Sequence, residues 1–423
     1  MKLWLFLRLW SLAWHLGLPL VLAYLWRRGR KDPLYAQALG ERFGRYRQRL
    51  PGAVWIHAVS LGELRSAVPL IRALLDRGET VVTTHFTPAG RREAQKVFAS
   101  EIAAGRLQPI WVPFETSWAY AGFFRSFRPK LGLVMEIEIW PRMIFASRRA
   151  RVPLFMCNAQ YPCDSMARDA RFGIRPALMR GFAGAFVKSD LQARRFASVG
   201  VGNVTVTGEL RFDQPVPADQ VAAAAALRPS LGPRRIIAFA SVTEPEEALF
   251  LAAAQEILSV RTPPLVIFIP RAPERFDAVA RAMSDKGMLF ARRSQRLDRT
   301  FAPLSQAPID VLLGDSLGEM YFYLGVADRV VVGGGFQRKG SHNIIEPLAL
   351  KLPVLVGPHI QTIEFPAVEA IEAGVCRRTS AERLVEDVLH WPDPSPEAIT
   401  AFVEAHSGAT ARTMAALEPL LRP

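Results

Sequence analysis

Three cysteines, Cys157, Cys163 and Cys376, are few for 423 residues, odd in number and without C-x-x-C spacing. That excludes a disulfide framework and a cysteine-held metal site, and it fits a reducing compartment. The chain also lacks the G-x-x-x-x-G-K-S/T spacing of a P-loop and the spaced glycines of the dinucleotide fingerprint. No short-period repeat, long low-complexity tract or RNA- or DNA-binding module is visible, so no nucleic-acid partner is expected despite a net charge of +14. Charged residues make up only 22% and hydrophobic ones 50%, the balance of a folded enzyme rather than a disordered chain. A chain this long exceeds what one core usually supports, and two domains are expected.

The positive charge is unevenly placed. Residues 1–50 hold ten Lys/Arg against two Asp/Glu, a net of +8, which leaves +6 for the other 373. Within this basic stretch lies the most apolar segment, Leu3 to Trp26, LWLFLRLWSLAWHLGLPLVLAYLW, interrupted among strongly polar side chains only by Arg8 and His15. It is longer than the roughly 20 residues needed to cross a bilayer. It also exceeds a signal-peptide core, and no small-residue cleavage site follows, so residues 1–30 are expected to stay as a membrane anchor. Arg27, Arg28, Arg30 and Lys31 outweigh Lys2 and keep the following chain on the cytoplasmic side. Arg42, Arg45, Arg47 and Arg49 either extend this into a patch for anionic membrane lipid or form a solvated basic face.

From residue 51 onward, apolar runs of strand length alternate with helical patterns. AVWIHAV (53–59), TVVTTHF (80–86), PIWVPF (109–114), KLGLVM (130–135), VPLFMCNA (152–159), GAFVKS (184–189) and VTVTGE (204–209) form a first series. RIIAFAS (235–241), PLVIFIP (264–270), DVLLGD (310–315), DRVVVGG (328–334) and LPVLVG (352–357) form a second. Strands alternating with helices imply parallel sheets with crossover helices. Residues 213–235, rich in Pro, Ala and Gly, break the rhythm and read as a linker with a short Ala-rich helix. The expected architecture is α/β: an anchor over 1–30, a domain over 31–213, a linker over 214–234 and a domain over 235–423. Two doubly wound, Rossmann-like domains facing a cleft place ligands at the carboxyl ends of their strands.

Several constellations fall at such ends. VVVGGGFQRKGSHNIIE (330–346) runs a buried strand into three glycines and a helix start, which reads as a phosphate cradle. The same residues also fit a tight turn with Asn343 and Glu346 as a capping box. HAVSLGE (57–63) puts Glu63 after a strand, as a general base toward a substrate hydroxyl or as the last member of a Ser60-x-x-Glu63 capping box. MEIEIWP (135–141) carries Glu136 and Glu138, which share a face if the strand continues. Two like charges there are costly in a core and favour a site or a basic partner. IPRAPERF (269–276) places Arg271, a planar fork for phosphate or carboxylate, after a strand. GDSLGEMYFYLGVAD (314–328) brings Gly318 and Glu319 to a helix start. Three such sites in one half are better served by one nucleotide-sized ligand than by three unrelated caps.

Taken together, SLGE, MEIEIWP, GELRFDQ, PRAPERF, GDSLGEM and GGGFQRKGSHNIIEPLALKLPVLVGPH resemble, in order and spacing, the 3-deoxy-D-manno-octulosonic acid (Kdo) transferases of the lipid A pathway. Such enzymes are similar to two-domain GT-B glycosyltransferases. The resemblance implies transfer of Kdo from CMP-Kdo to the lipid A precursor lipid IVA at the inner membrane, with CMP released and neither cofactor nor metal required. It implies Glu63 as proton acceptor, with Glu138 or Glu136 and Arg211 stabilising the transition state. Pro270, Arg271, Leu317, Gly318, Glu319, Asn343, Ile344, Ile345 and Glu346 would contact CMP. The family pattern has lysine at the position of Arg211, histidine at Ala272 and near Thr243, and a segment like NARLSERS where this chain reads NAQYPCDS (158–165). A sugar-nucleotide epimerase, or a GT-B transferase with another acceptor, could share the architecture.

Overall fold

The computed structural model describes residues 2–171, 173–305 and 307–422. Residues up to Gln214, joined by the segment from Ser407, form one unit, and Pro215–His406 form the other.

The first unit contains seven strands: β1 (Val54–His57), β2 (Val81–His85), β3 (Leu107–Trp111), β4 (Gly132–Met135), β5 (Leu154–Ala159), β6 (Gly184–Val187) and β7 (Val204–Val206). All pair in parallel, in the order β3-β2-β1-β4-β5-β6-β7. Nearly continuous apolar runs are what a sheet covered on both faces requires. Along β1 the side chains alternate: Val54 and Ile56 join one core with Leu64 and Leu133, while Trp55 joins the opposite core with Val82 and Val134. Strand order reverses between β1 and β4, so the loops leaving their carboxyl ends frame the crevice where doubly wound sheets bind ligands.

The second unit repeats this plan with β8 (Ile236–Val242), β9 (Leu265–Pro270), β10 (Phe290–Arg292), β11 (Val311–Leu313), β12 (Arg329–Val332), β13 (Val354–Val356) and β14 (Cys376–Arg378). They are ordered β10-β11-β9-β8-β12-β13-β14, again all parallel, with the switch point between β8 and β12.

Two segments depart from the expected partition. The Ala-rich helix Ala218–Leu227, expected within a linker, packs against Met320–Val326. Gln220 donates to Gly318 O (2.9 Å) and accepts from Phe322 N (3.2 Å), and Gly325 leaves room for Ala224. The apolar faces of two short helices bury each other, which makes this segment part of the second unit. The final helix, Ala409–Leu421, places Ala409, Leu417 and Leu421 in the core of the first unit beside Leu64 and Leu70.

The N-terminal helix Lys2–Gly29 is long and apolar enough to cross a membrane. One side lies along the first unit: Leu3, Phe6 and Leu7 pack on its core, Trp10 Nε1 donates to Glu115 at 3.0 Å, and Leu25 is buried with Tyr35 and Phe114. The other side exposes Leu5, Leu9, Leu12, Leu16 and Leu20, a stripe at helical spacing.

Candidate functional site

In the first unit the site is built across the switch point. The chain leaves β1 through Ala58 and Val59, and Ser60 caps the helix Leu61–Asp76. Glu63, in the first turn of that helix, folds back: Val59 N donates to Oε2 at 2.7 Å, Ser60 Oγ donates to Oε1 at 2.9 Å, and Glu63 N donates to Ser60 Oγ at 3.3 Å. Both readings of SLGE therefore meet in one residue, since the carboxyl both closes the cap and lies at the strand end. Burial raises its pKa from 4.5 to about 7, helped by the negative charges of Glu138 and Glu136 and opposed by the Val59 and Ser60 donors. A carboxyl group titrating near neutral pH is matched to taking a proton there.

Glu136 and Glu138 do not continue a strand. β4 ends at Met135, and Glu136 takes a left-handed φ of 56°, so the period-two alternation stops and the shared face expected for the two carboxylates is lost. Glu138 accepts from Trp140 Nε1 at 2.8 Å, and burial raises its pKa. Glu136 is drawn into a separate network. Lys188, at the end of β6 and buried, lies 3.0 Å from Glu136 and 2.8 Å from Glu209. Asn158 Nδ2 donates to both carboxylates, at 3.0 and 2.8 Å, while its Oδ1 accepts from Leu210 N at 2.9 Å. Arg211 completes the group, with Nε donating to Ser66 Oγ at 2.7 Å and Nη2 lying 3.7 Å from Glu136. Burial would lower the Lys188 pKa, but Glu136 and Glu209 outweigh it and raise it; burial likewise opposes Glu209, whose pKa Lys188 and Arg211 hold down. Two carboxylates and two cations thus neutralise one another while keeping Arg211 at the strand ends.

In the second unit the three-glycine loop is already filled by the protein. Glu246, fully buried, accepts from Gly334 N at 2.6 Å and Phe336 N at 2.9 Å, and from Thr243 Oγ1 at 2.6 Å. Gly333 N donates to Ala240 O at 2.8 Å. These N–H groups are therefore not the open phosphate cradle expected from the sequence. The glycines serve packing: a Cβ on Gly333 would come within 2.6 Å of Ser241 O, and one on Gly335 within 2.8 Å of Gly357 N. Nor does the helix follow the glycines directly. It starts at Ile345, where Asn343 Oδ1 accepts from Ile345 N at 3.0 Å.

Around that loop, Arg271 is exposed after β9 and makes no ion pair among the described residues, while His342 packs on Gly334. Burial and the nearby Arg271 lower the His342 pKa, so its ring is neutral beside a free guanidinium. Leu317 is exposed, and Gly318 has φ 81°. Glu319 is held by Arg293 through two bonds, Nε at 2.6 Å and Nη2 at 3.0 Å. Pro270, Ile344 and Ile345 are buried, which leaves mainly their backbone for a ligand. Glu346 lies close enough to Tyr321 to help burial raise that phenol's pKa. Among the described residues no three His, Cys, Asp or Glu side chains group to hold a metal.

Residues 37–214 match the family described as 3-deoxy-D-manno-octulosonic-acid transferase. The 3-deoxy-D-manno-octulosonic acid transferase of Bordetella pertussis is 39% identical over 426 residues, covering 95% of this chain and 96% of that one. This chain belongs to the Kdo transferase family. The transferase shares its fold with a glycosyltransferase from Rickettsia africae ESF-5, with TM-score 0.58 at 11% identity over 89% of this chain and 98% of that one. A UDP-GlcNAc 2-epimerase from Neisseria meningitidis has TM-score 0.55 at 13% identity, over 88% and 100%. Those likenesses concern the GT-B fold alone; the family comes from the sequence relative.

Sequence reasoning missed four residues of the transferase that hold the others. Lys188 had a signal, a lone cation closing the apolar strand GAFV. Glu246 had one too, since Thr243-x-x-Glu246 is a capping box, which the structure forms. Asn158 and Arg293 act through residues distant in sequence, and nothing in their local pattern marks them.

Proposed function

We propose that this glycosyltransferase moves Kdo from CMP-Kdo to the lipid A precursor in lipopolysaccharide biosynthesis, with Glu63 as general base and no metal. The observation that carries this reading is Glu63 itself, at the β1 end, with its pKa raised to about 7. Ionised Glu63 takes the proton of the acceptor hydroxyl as its oxygen attacks the anomeric carbon, and the bond from that carbon to the CMP phosphate breaks. Glu138, by its charge, keeps Glu63 basic enough to accept the proton. Arg211, held by Glu209 and Glu136, supplies positive charge to the developing transition state. On the donor side, Arg271 faces the phosphate as a fork, and backbone from Leu317–Glu319 and Asn343–Glu346 borders the nucleotide.

The N-terminal helix anchors the enzyme at the inner membrane on the cytoplasmic side, with its exposed leucine stripe against acyl chains and Arg27, Arg28, Arg30 and Lys31 at the anionic surface. The test is a mass spectrum of lipid IVA incubated with full-length protein and freshly generated CMP-Kdo, beside Glu63→Gln. Kdo added by the wild type and not the variant supports the reaction and the base, and the number added gives the functionality. CMP binding without transfer to lipid IVA would reject this acceptor and point to the altered NAQYPCDS segment.

A further inference from the structure

A pocket of about 360 Å³ opens in the first unit where the chain enters β5 and β6, lined by Arg148, Arg151, Arg180, Val152, Leu154 and Phe182. This is the amino-terminal edge of the sheet, whereas Asn158 and Lys188 sit at the carboxyl ends of the same strands. At the rise of a strand the two places are roughly 15 Å apart, so the pocket is separate from the reaction site.

Three arginines line the pocket and no carboxylate does. Arg180 donates to Val199 O at 3.0 Å, Arg148 lies over the Phe145 ring, and none of the three makes an ion pair among the described residues. Like charges gathered around one concavity repel unless an anion joins them. The floor, however, is apolar, with Val152, Leu154 and Phe182 buried. A cationic rim over an apolar floor suits an anionic headgroup with a hydrocarbon tail better than a free ion.

The setting agrees. Arg148 and Arg151 lie at the C-terminal end of helix Pro141–Arg149, and Arg180 follows helix Ile174–Met179. The N-terminal apolar helix packs against both of these helices, and Leu3, Phe6 and Leu7 join the core cluster that includes Leu154 and Phe182. We propose that this pocket binds the headgroup of an anionic phospholipid, with the phosphate among Arg148, Arg151 and Arg180 and the glycerol end on the apolar floor.

The test is calorimetric titration of the full-length protein in nonionic detergent with dihexanoylphosphatidylglycerol, dihexanoylphosphatidylcholine and inorganic phosphate. The anionic lipid is expected to saturate a single site. Arg148→Gln/Arg151→Gln/Arg180→Gln should weaken it about a hundredfold, as expected for about 1 kcal/mol per basic residue. Arg151→Gln alone, at an exposed turn, should give part of that loss, so a folding defect in the triple variant would not decide the matter. A control removing three exposed arginines elsewhere, Arg125→Gln/Arg194→Gln/Arg281→Gln, should leave binding unchanged. Inorganic phosphate or the zwitterionic lipid binding as tightly would overturn the assignment to an anionic lipid. Loss in the control equal to that in the triple variant, or no saturable site, would overturn the pocket.

Discussion

Replacing Glu63 with Gln should slow turnover by orders of magnitude and at the same time make the protein more stable at alkaline pH. The side chain is amide-compatible: Gln can accept from Val59 N and donate to Ser60 Oγ, so the cap survives. What changes is ionisation. A carboxyl whose pKa is 4.5 unfolded and about 7 folded holds its proton more tightly in the native state. Between those values the native state binds more protons than the unfolded one, so stability falls as pH rises from about 4.5 to about 7 and then levels off. Each tenfold change is about 1.4 kcal/mol, so the ionised carboxylate destabilises the wild type by up to about 3 kcal/mol above pH 7, less where water screens it. The neutral amide carries no such penalty. Melting wild type and variant at pH 5 and pH 8 should show similar temperatures at the lower pH. At the higher pH the variant should melt several degrees above the wild type, since roughly 2–4 °C accompany each kcal/mol in a unit of this size. Transfer should drop by a factor of about 10² to 10⁴, the usual contribution of a general base. A stability gap that shrinks or reverses between pH 5 and pH 8 would refute the desolvated-base account, whatever happens to activity.

Glu138→Gln removes a negative neighbour that raises the Glu63 pKa, so the acid limb of the pH–rate profile should move to lower pH; an unmoved limb would separate Glu138 from the base. Lys188→Met strands the buried carboxylate of Glu209 beside half-buried Glu136 and should destabilise the first unit by about 3–5 kcal/mol in denaturant unfolding, while Lys188→Arg should lose less. Glu246→Ala leaves the Gly334 and Phe336 N–H groups unpaired, about 1–3 kcal/mol each, and should weaken CMP binding measured by calorimetry through a loosened loop; undisturbed binding would detach that loop from the donor site.

The strands with long apolar runs were legible because parallel sheets are buried on both faces and leave no polar interruption. Phe290–Arg292 and Cys376–Arg378 were not, because each is three residues long, lies at a sheet edge and includes arginine. The position of Glu63 was legible from a strand followed by a capping box. Its ionisation was not, since burial and the approach of Glu138 are set by a different strand. The glycine run was legible as a sharp turn, but its occupant is Glu246, nearly ninety residues earlier in the chain. Local pattern shows which backbone needs partners, whereas tertiary structure decides whether a ligand or a side chain supplies them.

The return of Ala409–Leu421 to the first unit has a consequence for synthesis. The second unit leaves the ribosome whole before the segment that completes the first, so it can fold while the earlier-made unit still lacks Ala409, Leu417 and Leu421 against Leu64 and Leu70. Until then Asp213 also lacks its partners, Gly408 N and Thr410 N. The half that carries Glu63 is therefore begun first and finished last, and a nascent chain halted before Ser407 would present an open apolar face with Arg77 still missing Glu418.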